Sequence, residues 1–142
     1  MMNRRTAIAA LALMFSFLAP LAGHAQVPAK HRVVFQVSDN DPAKWNLALN
    51  NARNVQADLG KDKVEVEIVA YGPGLAMLRA ESPVAGRLAQ ALDNNVALLA
   101  CENTMQNTKV GKDDMYGGIK YVQAGVTHLM KRQKEGWAYI RP

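Results

Sequence analysis

The chain has 142 residues, 49% of them hydrophobic and 20% charged, with 17 basic against 12 acidic residues and a formal net charge of +5. So mild an excess argues against nucleic acid or an anionic membrane as a partner. A single cysteine, Cys101, excludes an internal disulfide.

In chain order the first element is a leader. Arg4 and Arg5 form a positive n-region, an apolar stretch runs from Ala7 to Leu21 with only Ser16 and Pro20 interrupting it, and Gly23-His24-Ala25 is a small-x-small cleavage site. This pattern predicts a secretory signal peptide over residues 1–25 and a periplasmic protein that starts at Gln26. The apolar run is short for a membrane anchor, and no other segment is long and apolar enough to span a bilayer. No stable membrane insertion is therefore expected after cleavage. Residues 26–142 suffice for one domain with one core.

Arg32–Val37 (RVVFQV) is a β-branched apolar run, the pattern of a buried strand. Asp41 and Pro42 supply an N-cap and a first helical residue. Trp45, Ala48, Ala52, Val55 and Leu59 then recur at intervals of three and four, so a helix follows, with Gly60 at its C′ position. Lys63–Tyr71 alternates Val64, Val66 and Ile68 against Glu65, Glu67 and Val69, a strand with one more exposed face. Gly72-Pro73-Gly74 breaks it, LAMLRA (75–80) reads as a short helix, and Ser82-Pro83 opens another with Leu88, Ala91 and Leu92 inward. NNVALLACE (94–102) is a third strand. Residues 109–118 are polar and glycine-rich, a loop expected to be mobile. IKYVQAG (119–125) is a fourth strand. VTHLMKRQKE (126–135) is a helix with Lys131, Arg132 and Lys134 in its last turn, where cations suit the dipole. Gly136 stops it, and Trp137–Ile140 is a short last strand.

Strands alternating with helices predict an α/β fold with a parallel sheet covered on both faces. Ligands meet such sheets at the carboxyl ends of the strands. The segments there are Ser38-Asp39-Asn40, Tyr71-Gly72-Pro73-Gly74, Cys101-Glu102-Asn103 and Ala124-Gly125, so Asp39, Asn40, Gly72, Gly74, Glu102 and Asn103 are rim candidates. If ENTMQN (102–107) starts a helix, its amides lower the Cys101 thiol pKa, whereas the adjacent Glu102 charge raises it. Base rates favour an inert, buried cysteine, but its place on the rim favours a partly exposed, reactive one.

YGPGL (71–75), ALLACENTM (97–105) and the ending GVTHLMKRQKEGWAYIRP (125–142), together with the order of elements, resemble the DsrE/DsrF-like family over nearly the whole mature chain. The resemblance implies a three-layer α/β/α domain with a mainly parallel five-stranded sheet, commonly a homo-oligomer. It also implies a cysteine that carries sulfur as a persulfide, which here is Cys101. The leader sets this chain apart from the family's cytoplasmic relays, so its sulfur donor or acceptor would be another, unidentified protein. The resemblance thus implies at most a sulfurtransferase-type subunit.

The remaining candidates read as structural. His31 and His128, with Cys101, have no metal-ligand spacing, so no metal is expected. Gly72-Pro73-Gly74 lacks the spacing of a dinucleotide loop and has no Walker lysine, so no cofactor is expected either. Asp39 with Glu102 could form an acid/base pair, although such carboxylates more often cap turns. Met77, Met105, Met115 and Met130 read as core or loop filler. With no C-x-x-C and no second cysteine, a disulfide oxidoreductase is disfavoured. Two classes remain: a sulfur carrier acting through Cys101, and a non-catalytic oligomeric module that binds a small ligand or a protein at the same rim.

Overall fold

The computed structural model describes residues 30–142. The leader and the Gln26 start lie outside the described residues. The elements are β1 (His31–Val37), α1 (Pro42–Leu59), β2 (Val64–Ala70), α2 (Ala85–Asp93), β3 (Ala97–Cys101), α3 (Glu102–Asn107), β4 (Lys120–Val122), α4 (Gly125–Lys134) and β5 (Ala138–Ile140). The five strands form one sheet in the order β4-β3-β2-β1-β5, and every pairing is parallel.

Strand order dictates which face each helix covers. From β1 through β2 and β3 to β4 the chain steps one position at a time in a single direction. Right-handed crossovers then place α1, α2 and α3 on one face. From β4 the chain returns across the whole sheet to β5, so the same handedness places α4 on the other face. The packing follows this division. Val33, Phe35, Val66, Ile68 and Leu98 meet Trp45, Ala48, Leu88 and Met105 in the larger cluster. Val34, Val69 and Leu99 meet Leu129 and Trp137 in the smaller one. Truncating a fully buried member of the larger cluster, such as Leu98 to Ala, costs about 2–5 kcal/mol.

The start of α1 forms as its residues dictate: the Asp41 side chain accepts from the Ala43 N–H at 2.9 Å, and Pro42 needs no donor there. At the other end Gly60 takes φ +94°. Leu59 is exposed, so the stripe along α1 ends one turn earlier than its periodicity suggests. Three other expectations are corrected. The short helix read at 75–80 forms as a 3-10 helix over 72–78 and already includes the Gly72-Pro73-Gly74 stretch read as a break. Leu75, Met77 and Leu78 are all buried, which no single amphipathic stripe would achieve. The Glu65–Val69 face of β2 is not the more exposed one throughout, because α4 covers Glu67 and Val69. Residues 109–118 do not form a free loop. The Ala80 N–H donates to Asp114 O and the Tyr116 N–H to Leu78 O, both at 2.9 Å, while Met115 and Ile119 are buried.

Candidate functional site

Chain direction splits the carboxyl edge at one place. β3 leads into α3 on one face and β4 leads into α4 on the other, so the two chains diverge between neighbouring strands. That divergence is the switch point where open α/β sheets take ligands. Cys101 ends β3 there, opposite Val122 of β4, and is itself the N-cap of α3. Strand alternation puts its side chain on the same face as Leu99, the face covered by α4.

The thiol is closely surrounded. The N–H of Gly125, the first residue of α4, donates to Cys101 Sγ at 3.3 Å. The thiol's own proton faces the Gln123 carbonyl at 3.9 Å. That carbonyl also accepts from the Asn103 N–H at 3.0 Å, and Gln123 Nε2 donates to Asn103 Oδ1 at 2.7 Å. Thr104 stands beside the sulfur, and its Oγ1 accepts from the Gly72 N–H at 2.9 Å. With its acceptor side occupied, the hydroxyl is free to donate to the sulfur. A Cβ at 125 would lie 3.0 Å from Tyr71 Cβ, so any larger residue there requires the Tyr71 side chain to shift.

Burial pushes the thiol pKa up, but the Thr104 hydroxyl and the amides of Gly125, Thr104 and Asn103 together outweigh it and leave the thiol below its usual value. Those donors stabilise a thiolate and do little for a neutral thiol. Glu102 opposes them less than its position suggests, since its Oε1 lies 3.3 Å from Lys112 Nζ. Partial exposure, by contrast, is overturned. Cys101 is only 5% exposed, because the Gln123–Gly125 turn lies over it.

The remaining rim candidates divide. Glu102, Asn103 and Gly72 adjoin the thiol or its contacts. Gly74 is structural: a Cβ there would lie 2.3 Å from Val37 O, so it lets the 3-10 turn rest on the end of β1. Asp39 and Asn40 sit at the end of β1, with β2 between them and β3. The Lys44 ammonium at 2.7 Å, with Arg141 at 3.7 Å, holds the Asp39 carboxyl below its usual value. Asn40 is exposed. Asp39 and Glu102 therefore have separate partners and form no acid/base pair. His31 is exposed, and His128 Nε2 lies 2.7 Å from Glu67 Oε2. Among the described residues no group of three or more His, Cys, Asp or Glu could hold a metal ion. Sequence reasoning missed Thr104, Gln123 and the Gly125 amide as partners of the sulfur. The strand order brings Gln123 and Gly125 to it, whereas Thr104 comes from the first turn of α3, the helix that Cys101 caps.

The fold and the place of the thiol define a parallel, doubly covered α/β domain with one cysteine at its switch point. The chain belongs to the DsrE/DsrF-like family, whose model matches residues 31–142. Among solved structures it is similar to a protein of unknown function from Methanobacterium thermoautotrophicum, with 39% identity and a TM-score of 0.76 over 80% of this chain and all of that one. A conserved protein of unknown function from Bacteroides thetaiotaomicron shares the fold at 15% identity and a TM-score of 0.60, over 78% of this chain and 94% of that one. No curated protein matches significantly.

Proposed function

We propose that this DsrE-like protein is a periplasmic sulfur carrier that holds sulfur as a persulfide on Cys101. The observation that carries the proposal is the Gly125 N–H held 3.3 Å from Cys101 Sγ, with the thiol at the N-cap of α3 on the switch-point edge of the sheet. In the transfer, the Cys101 thiolate attacks the outer sulfur of a donor persulfide, R–S–SH. The new Sγ–S bond forms as the donor S–S bond breaks, RS⁻ leaves with the electron pair, and the proton stays on the transferred sulfur. Nothing is oxidised or reduced overall. Delivery is the reverse step toward an acceptor thiolate. It calls for no metal, cofactor or nucleic acid, and the donor and acceptor are other molecules of the same compartment.

The leader pattern supports the periplasmic setting. Self-association is supported by Val126 and Met130, 51% and 53% exposed on the outer side of α4, and by Tyr139 and Ile140 at 38% on the edge strand β5. A second reading is favoured by the burial of Cys101: a non-catalytic oligomeric binding module in which the cysteine is structural. Alkylation of the folded protein by iodoacetamide across pH, with Cys101→Ser as the blank, separates the two. A carrier reacts while folded, and with a midpoint below that of a free cysteine. A thiol that reacts only after denaturation favours the binding module.

A further inference from the structure

A cluster of charge lies under α4, outside the immediate contacts of the thiol. Glu67, on the central part of the sheet, is only 7% exposed. Arg132 grips its carboxylate with two nitrogens, Nη2 at 2.6 Å from Oε1 and Nε at 3.0 Å from Oε2. His128 Nε2 lies 2.7 Å from Oε2. An ionised carboxylate only accepts, so Nε2 carries the hydrogen. Arg132 Nη1 also donates to Glu135 Oε2 at 2.8 Å, and its guanidinium lies over the Trp137 ring, 4.5 Å from the centroid.

A buried ion pair of this kind adds little net stability over apolar packing, because desolvation consumes most of the attraction. Its particular contribution is direction, since a two-pronged guanidinium–carboxylate contact fixes distance and angle together. α4 has few other anchors besides Arg32 Nη2, which donates to Glu135 O at 2.8 Å at its far end. It is the one helix on its face, its buried apolar anchor is Leu129, and Val126 and Met130 face outward. Residues 125, 128 and 132 fall on one stripe of this helix, at intervals of three and four. The upper end of the stripe presents the Gly125 amide to Cys101 on β3. Its lower end presents His128 and Arg132 to Glu67 on β2.

We propose that Glu67 is a positioning residue for the thiol: by gripping His128 and Arg132 it fixes the stripe of α4 so that the Gly125 N–H stays on Cys101 Sγ. The proposal rests on the reading of Cys101 as a working thiol. At 3.3 Å the amide contact has little slack, and a small slide or roll of α4 withdraws it. Glu102, next to Cys101 in the chain, has its charge met by Lys112, with Nζ 3.3 Å from Oε1, and neither residue belongs to α4.

The test is a pH titration of thiolate ultraviolet absorbance in the folded protein, with Cys101→Ser as the blank. It reads ionisation without a reagent having to reach the sulfur. Glu67→Gln is expected to raise the midpoint by about one pH unit, the size of one lost charge-assisted hydrogen bond, and His128→Gln by less. Ala52→Gly, in α1 on the opposite face, is expected to lower the melting temperature and leave the midpoint unchanged. A folded Glu67→Gln with an unmoved midpoint, or an Ala52→Gly that moves it equally, overturns the proposal. If Glu67→Gln does not fold, His128→Gln decides, and an unmoved midpoint there overturns it. Uptake of sulfur by Cys101 with a midpoint indifferent to Glu67→Gln sinks this inference alone. A midpoint that responds to Glu67→Gln without any uptake of sulfur sinks only the carrier reading.

Discussion

Burial opposes ionisation of Cys101, and Thr104 and Gly125 are among the groups that favour it, acting from opposite sides. Thr104 belongs to the chain that leaves β3, and Gly125 to the chain that leaves β4. Each donor favours the thiolate by roughly 1 kcal/mol or more, because a charge-assisted bond in a buried setting is stronger than a neutral one. Thr104→Val keeps the shape and removes the hydroxyl, so the thiol midpoint is expected to rise by about half to one pH unit in the same absorbance titration. A midpoint that stays in place would mean that the amides alone set the pKa. Gly74 allows a sharper prediction. A Cβ at 2.3 Å from the Val37 carbonyl oxygen cannot be accommodated without moving backbone. Gly74→Ala is therefore expected to lower stability by about 1–3 kcal/mol, read as a shift in the urea midpoint, as overpacking does elsewhere.

α4 is the element whose attachment depends most on charge. Burial pushes the Glu67 carboxyl up, but Arg132 and His128 outweigh it and leave its pKa below the ordinary value. A depressed folded pKa contributes stability that is present above the unfolded pKa and lost as pH falls through the folded one. The difference in melting temperature between the natural chain and Glu67→Gln is thus expected to be largest near neutrality and to shrink below about pH 4. An equal difference at both ends would place the effect in packing rather than charge. This element also marks the limit of what was legible in the sequence. Its span, read as 126–135 against the observed Gly125–Lys134, and the cations of its last turn were legible to within one residue, because capping and periodicity are local. The cover it gives Glu67 was not. Alternation along β2 assigns Glu67 to a face, but only the return of the chain from β4 to β5 decides that a helix lies there. Segment 109–118 hid its docking for the same reason: Tyr116 and Asp114 bond to Leu78 and Ala80, far back in the chain. Cys101 was legible as a rim residue, whereas its burial was not, since Gln123 and Gly125 reach it from the next strand.

Among the described residues, one face of the sheet carries three α-helices and the other carries one. The outer side of that one helix shows Val126 and Met130 to solvent. Self-association through this side is expected, and Met130→Glu should lower the mass measured by light scattering at micromolar concentration. A natural chain that is already monomeric there would count against the oligomer. The central claim, however, belongs to a single sulfur within this frame. The most direct measurement is intact-mass spectrometry of the folded protein after exposure to a small-molecule persulfide, with Cys101→Ser alongside. The account predicts a gain of one sulfur atom in the natural chain, lost again on treatment with an acceptor thiol, and none in Cys101→Ser. No gain in the folded natural chain, or an equal gain in Cys101→Ser, would contradict it.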